Sequence, residues 1–385
     1  MSTHLWTSES VSKGHPDKVA DQIADAILDA NIAIDPNVRS AVEVTITRDR
    51  SGDDVVILTG EIGSKEDYEI NFDSVVKDTL RRIGYSTAKS GFNVDDCIIY
   101  NHIRPQSIEI ANAVVGQNEI GAGDQGFMFG YAEKNDLTDH MPIAHYLARQ
   151  IVDQVSEVDG YYPDAKSQVT LELEGEDLVG IDTVLLSVCS PERFSIDDVR
   201  YFWEDKIRGL LTRLGFNSNL ENTKYLINPA GAWHLGGPAS DTGLSGRKII
   251  VDNYGPDCPH GGGSFSGKDP TKVDRSAAYA ARYLAKAIII AGLAKKCQIQ
   301  LAYAIGVAEP VSVFINTFNT GEISTKGLVE LVKSTTDLRP AALIEELNLQ
   351  QPIYEETSRD GHFFGDFSWE MKAKEKSKEL LKNVL

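Results

Sequence analysis

Three consecutive glycines, Gly261, Gly262 and Gly263, followed by Gly267 and set among Lys268, Asp269, Lys272, Asp274 and Arg275, give the stretch His260–Ser276 the make-up of an anion cradle. Glycines without Cβ atoms let backbone N–H groups turn toward a ligand, and a following helix N-terminus adds partial positive charge, which is the local chemistry of polyphosphate binding. The spacing follows the phosphate loop G-x-x-x-x-G-K from Gly262 to Lys268, but Asp269 stands where a Mg2+-binding Ser or Thr belongs. An acid there repels a phosphate, so the expectation is a glycine-lysine loop outside that class. A glycine-rich surface turn with solvated charges is the alternative.

Other candidates lie far away in the chain. His15 precedes a helix N-terminus with Asp17 in its first turn, Lys166 precedes a strand, and Arg247 and Lys248 precede another expected strand over Lys248–Tyr254. Singly, such residues are more often structural than catalytic. Together, Lys166, Arg247, Lys248, Lys268 and Lys272 could neutralise a triphosphate, and Asp17 with Asp274 could share Mg2+, which favours few carboxylates plus phosphate oxygens.

The elements that must position these groups follow from periodicity. A helix is predicted from Pro16 to Asn31, then a hairpin of Val38–Arg48 and Val55–Ile62, a helix over Phe72–Ile83 and a strand over Asp96–Ile103. The order returns as helix His140–Val158, strands Gln168–Glu174 and Leu178–Val188, a Ser195-capped helix to Leu214, and strand Lys224–Asn228. It returns again as helix Thr271–Gly292, strands Gln298–Ile305 and Val311–Phe318, and helix Ser324–Ser334. Each repeat opens near a proline, at 16, 142 and 270, so an α+β fold of three similar subdomains with pseudo-threefold symmetry is expected. The expected divisions are residues 1–105, 121–234 and 235–385, with 106–120 as an active-site lid or, alternatively, a plain linker. Asp21, Asp25 and Asp29, which continue Asp17 along the first helix, are expected to be solvated.

Composition narrows the classes. A net charge of −19 leaves no broad basic face for nucleic acid or an anionic membrane. The four cysteines contain no C-x-x-C pair, and the start MSTHLWTSES lacks a signal-peptide pattern, so a cytoplasmic enzyme holding its anionic substrate by local cations is expected.

Longer motifs then carry a resemblance. TSESVS at Thr7–Ser12, GHPDK at Gly14–Lys18, GAGDQG at Gly121–Gly126, PDAKSQ at Pro163–Gln168, GRKIIVD at Gly246–Asp252 and GGGSFSGKD at Gly261–Asp269 together resemble the S-adenosylmethionine synthetase (methionine adenosyltransferase) family over almost the whole chain. The resemblance implies transfer of the adenosyl group of ATP to L-methionine, with tripolyphosphate then cut to phosphate and diphosphate. It implies two Mg2+ per site held by Asp17 and Asp274, K+ held with Glu43, and His15 near the ribose and leaving phosphate. Asp164, Lys166, Asp241, Arg247, Lys248, Ser264 and Lys268 would line ATP, with Trp233 stacking near adenine. Glu61, Gln106, Asp124, Asp241 and Lys272 would surround methionine. His15, Lys166, Arg247 and Lys268 are the implied catalytic residues, in a homodimer or homotetramer with sites between subunits. The chain departs from the family at Lys13, at Ala232-Trp233 where Arg-Phe is common, and at Ser264 where alanine is usual.

Overall fold

Each helix–hairpin–helix pattern folds as one sheet backed by two helices, in a computed structural model that describes residues 3–106, 121–217 and 220–384. The expected lid falls, apart from Gln106, outside the described residues.

Strand β1 (Thr3–Val11) precedes helix α1 (Pro16–Ile32), the hairpin β2 (Arg39–Arg48) and β3 (Asp54–Gly63), helix α2 (Phe72–Ile83), and strands β4 (Ile98–Asn101) and β5 (Arg104–Pro105). Strand β6 (Gly126–Glu133) precedes α3 (Ile143–Ser156), β7 (Ala165–Glu174), β8 (Asp177–Val188), α4 (Ile196–Arg213) and β9 (Lys224–Ile227). The short β10 (Gly243–Leu244) precedes α5 (Val273–Ile290), β11 (Lys296–Tyr303), β12 (Ser312–Asn316) and α6 (Thr325–Thr335). Shorter helices follow to Val384.

The sheets do not follow the linear order of the chain. Strand β1 leaves its own hairpin and pairs antiparallel with β7, from Thr3↔Glu174 to Val11↔Lys166. Strand β6 pairs with β11, and β10 with β2, so each repeat lends the strand ahead of its first helix to a different repeat. The loan closes on itself in a ring of three. Neither β1 nor β6 is predicted from sequence, because each finds its partner more than a hundred residues downstream.

Each core is then a two-layer one. Val19, Ile23 and Ile27 of α1 and Val76 and Leu80 of α2 pack on Val42, Val44, Ile46 and Leu58. Leu147 and Ile151 of α3 with Trp203 and Leu211 of α4 cover Val169, Val184 and Leu186. In the third, α5 is buried along nearly its whole length by β6, β11 and the terminal helices, which an alanine-rich helix permits because small side chains let neighbours approach.

Two sequence expectations are corrected. Lys248–Tyr254 is a succession of turns and not a strand: Asp252 N–H returns to Lys248 C=O at 2.8 Å, which tucks Val251 and Tyr254 inside. The acids of α1 are not solvated, since Asp21 and Asp25 are fully buried and Asp29 receives Tyr354 N–H and Glu355 N–H at 2.9 and 2.8 Å. Burial pushes Asp21 up to about 6 and Asp29 up to about 7. α1 has acids where a helix on the surface would have them, yet it runs beneath the third repeat.

His145 on α3 sits fully buried at the seam with β1, its Nδ1 3.2 Å from Ser8 Oγ. Burial, then the Arg149 charge, pushes its imidazole down to about 4 from 6.5. The unfolded chain therefore takes a proton here before the folded one does. Stability from this group is full above about pH 6.5 and is lost as pH falls to about 4, by about 3 kcal/mol. Wild type is expected to lose ground against His145→Asn across that window and to hold a constant difference above it, in denaturant unfolding at stepped pH. A difference independent of pH would refute this.

Candidate active site

The GHPDK turn and the PDAK turn are locked together by their backbones. Ser12 N–H donates to Ala165 C=O, Ser12 Oγ donates to Pro163 C=O at 2.7 Å and accepts Ala165 N–H at 2.8 Å. Gly14 lies so close that a Cβ there would stand 2.4 Å from the Pro163 carbonyl, so glycine is required. His15 at the N-cap of α1 and Lys166 at the start of β7 are thereby neighbours. His15 Nδ1 accepts Asp17 N–H at 3.2 Å. Burial, then the Lys248 and Lys166 charges, pushes the imidazole down to about 3. It is neutral, and with Nδ1 accepting, its proton resides on Nε2.

Asp17 accepts Leu244 N–H at 2.9 Å and the Lys248 ammonium at 2.5 Å. Burial alone would raise its carboxyl, but these two donors hold it below the ordinary aspartate range. Asp164 is buried and accepts Gly237 N–H at 2.7 Å through Oδ2, while its Oδ1 has no partner among the described residues. Burial pushes it up to about 7, with Lys166 and Lys248 opposing and Asp241 adding to the rise. Arg247 is exposed beside Lys248, and Trp233 donates to Leu235 C=O at 2.7 Å near this edge. His15, Asp17, Asp164, Lys166, Asp241, Arg247 and Lys248 thus form one group around the N-terminus of α1.

A second group forms around the glycine loop. Gly267 N–H binds Asp25 Oδ1 at 2.8 Å, and Lys268 pairs with Ala41 of β2 as an isolated bridge. The Lys268 ammonium reaches Asp274 Oδ2 at 2.5 Å, and a Cβ at Gly263 would collide with that same carboxyl. Asp269 does not face a phosphate. It is fully buried, accepting Ser40 N–H at 2.8 Å and Thr271 N–H at 2.9 Å, with Lys272 at 3.1 Å. The acid at the position of the usual Ser or Thr fastens the loop to β2 and leaves the cradle to Lys268. Lys272 ends α5 as its N-cap and lies against Gly123, next to exposed Asp124. Helix α5 therefore begins three residues after Pro270.

Ser264 joins the two groups by packing on Gly246, where a Cβ would stand 2.8 Å from it. Glu43 is exposed on β2 opposite Thr59, and Glu61 on β3 opposes Ala41, the residue bridged to Lys268. Gln106 hydrogen-bonds to Ile62 C=O at 3.1 Å at the end of the same sheet. Glu61 thus lies across β2 from the glycine loop, Gln106 at the far edge of that sheet, and Glu43 between Val42, bonded to Gly267, and Val44, bonded to Ser245.

The sequence patterns of three successive domains match the chain: S-adenosylmethionine synthetase, N-terminal domain over residues 3–108, central domain over 119–233 and C-terminal domain over 235–371. The chain belongs to the S-adenosylmethionine synthetase family. A relative called S-adenosylmethionine synthase, from Clostridium tetani (strain Massachusetts / E88), is 45% identical over 376 residues, covering 93% of this chain and 94% of its own. The chain is thus an α+β enzyme, a methionine adenosyltransferase, of a family that uses metal ions.

The oxygens of Asp17 and Asp274 suit a cation brought in by the substrate. Each is a single carboxylate already facing an ammonium, and no group of three His, Cys, Asp or Glu that could cage a metal occurs among the described residues. No described helix is long and apolar enough to cross a membrane.

Sequence reasoning missed the residues that hold this arrangement: Lys18, Asp21, Asp25, Asp252 and Arg275. The one available signal was the acid row of α1 lying beside an apolar stripe, which together leave the helix almost no face for solvent.

Proposed function

We propose that methionine sulfur attacks C5′ of ATP in line, forming the S–C5′ bond as C5′–O breaks and the electron pair departs with tripolyphosphate, which the same site then cuts to phosphate and diphosphate. A thioether has no proton to lose, so no general base is needed; orientation and stabilisation of the leaving group supply the rate. The observation that carries this reading is a pair of matching contacts, Lys248 on Asp17 and Lys268 on Asp274. Both ammoniums rest on carboxylates; with ATP bound, each lysine would turn to a phosphate oxygen and each aspartate would be free to hold a cation.

Lys166, Arg247, Lys248 and Lys268 stabilise the triphosphate, and His15 donates from Nε2 to the departing oxygen. Asp164 Oδ1, buried without a partner, accepts from the nucleoside, with Asp241, Trp233 and Ser264 lining the rest of ATP. Glu61, Gln106, Asp124, Asp241 and Lys272 hold methionine. Asp17 and Asp274 would hold two Mg2+, which would supply charge neutralisation on the leaving group, and Glu43 would contribute an oxygen to K+. Leu5, Trp6, Tyr100, Phe127 and Phe314 are large apolar side chains exposed on strands of all three sheets, which supports a homodimer or dimer of dimers completing the sites. The cytoplasm is the proposed compartment.

Purified protein given ATP, methionine, Mg2+ and K+ is expected to yield S-adenosylmethionine, phosphate and diphosphate by mass spectrometry. ADP as the nucleotide product would overturn the reaction.

A further inference from the structure

The segment bearing Arg247 and Lys248 is fastened to α1 by a buried ion cluster centred on Lys18. That side chain is only 1% exposed, and its ammonium donates to Asp21 Oδ2 at 3.1 Å and to Asp252 Oδ1 at 2.6 Å. Asp21 uses its other oxygen to accept Gly246 N–H at 2.8 Å. Asp252 sends its own N–H to Lys248 C=O at 2.8 Å. The Asp21 carboxylate thus grips the chain immediately before Arg247-Lys248, the Asp252 backbone N–H holds Lys248 itself, and Lys18 ties both acids to the helix that carries His15 and Asp17.

Lys18 stands within GHPDK, beside Asp17, where a lysine invites reading as one more phosphate contact. Its burial and its two bonds exclude that, because the ammonium is spent inside the protein. Gly246 takes the left-handed φ of 77° and its N–H is held by Asp21, so a shift at Asp21 moves the residue that directly precedes Arg247. His362 closes the far side, its Nε2 4.0 Å from Asp252 Oδ2.

We infer that Lys18 is a positioning residue: it touches no substrate, and by clamping Asp21 and Asp252 it aims Arg247 and Lys248 at the leaving triphosphate. This rests on the proposed role of those two cations. Displacement of such groups by about an ångström costs up to about a hundredfold in rate, whereas a purely structural ion cluster would cost stability without regard to Lys248.

The test is a double-mutant cycle. Asp252→Asn keeps shape and an acceptor oxygen while removing a charge; Lys18→Met removes the clamp. Each is made alone and with Lys248→Met, and kcat, methionine KM and Tm are measured. Asp252→Asn is expected to lower kcat about tenfold with methionine KM within about twofold, and Lys18→Met more. In the Lys248→Met background either should add less than about threefold. Unchanged kcat in folded Asp252→Asn, or the same loss in both backgrounds, would overturn the inference. Should Lys18→Met not fold, the Asp252→Asn pair decides alone. Full turnover by Lys248→Met itself would instead refute the triphosphate reading beneath it.

Discussion

Lys268→Ala is expected to lower kcat by at least about a hundredfold while the protein stays folded. The backbone at Lys268 is held independently of its side chain: its N–H donates to Phe265 C=O, its C=O accepts from Arg275, and it bridges to Ala41. The ammonium reaches Asp274, whose side chain is 16% exposed, so its removal leaves a partly solvated and not a wholly buried charge behind. What is lost is a charge-assisted donor at the bond that breaks, worth about 2–4 kcal/mol in the transition state. Arg247→Ala, exposed on the other wall, should behave alike. Tm should move little, and the loss should fall on kcat more than on methionine KM. Turnover within about threefold of wild type would remove Lys268 from the leaving-group contacts.

Arg275→Met should be the most destabilising single substitution near the site. The guanidinium is fully buried and holds Asp25 with two bonds of 2.8 and 2.7 Å, Tyr279 Oη at 3.0 Å and Thr357 Oγ1 at 3.1 Å, with its plane 4.2 Å over the Tyr354 ring. Burial disfavours its charge, but Asp25 outweighs that and raises the group further above the arginine range. Removing one member of such a pair leaves an uncompensated carboxylate in the interior and costs about 3–5 kcal/mol. The double variant Arg275→Met with Asp25→Asn should recover a large part, because no buried charge is then left alone. Denaturant midpoints of the four proteins test this; a single variant within about 1 kcal/mol of wild type would show that Asp25 finds other company.

The substitution would also reach the glycine loop, since the oxygen that binds Arg275 Nη1 also accepts Gly267 N–H. In the same way Asp17 receives Leu244, Asp21 receives Gly246 and Asp29 receives Tyr354. Four carboxylates, one per turn of α1, thus receive three successive stretches of the third repeat, at 244–246, 267 and 354–355.

Local signals made much of this legible. Asn71 accepts Ser74 N–H and Gly84 adopts φ 113°, so the helix Phe72–Ile83 has the predicted bounds. Ser195 caps α4 as predicted, and Gly262 and Gly267 take the left-handed φ expected of a loop that turns its amides. What failed were the readings of β1, of Asp269 and of the α1 acids, each of which is settled by a distant partner. TSESVS offers no alternation strong enough to announce β1, whose partner β7 supplies the pairing. In sequence Asp269 reads as a phosphate repeller because Ser40, which binds it, is 229 positions away. The acids of α1 were read as wet because their donors, from Leu244 to Glu355, are equally remote. The chemistry-bearing types were visible in sequence; their partners were not.

The ring of lent strands has a consequence for how this chain is made. During synthesis Val11 must wait for Lys166, Gly126 for Tyr303, and Ile46 for Gly243, so none of the three sheets can be completed from contiguous chain. Loop closures of that span are slow and leave strand edges bare meanwhile, favouring late, collective assembly and a need for chaperone shelter. Cutting the gene between repeats should yield fragments that aggregate alone and fold only when co-expressed.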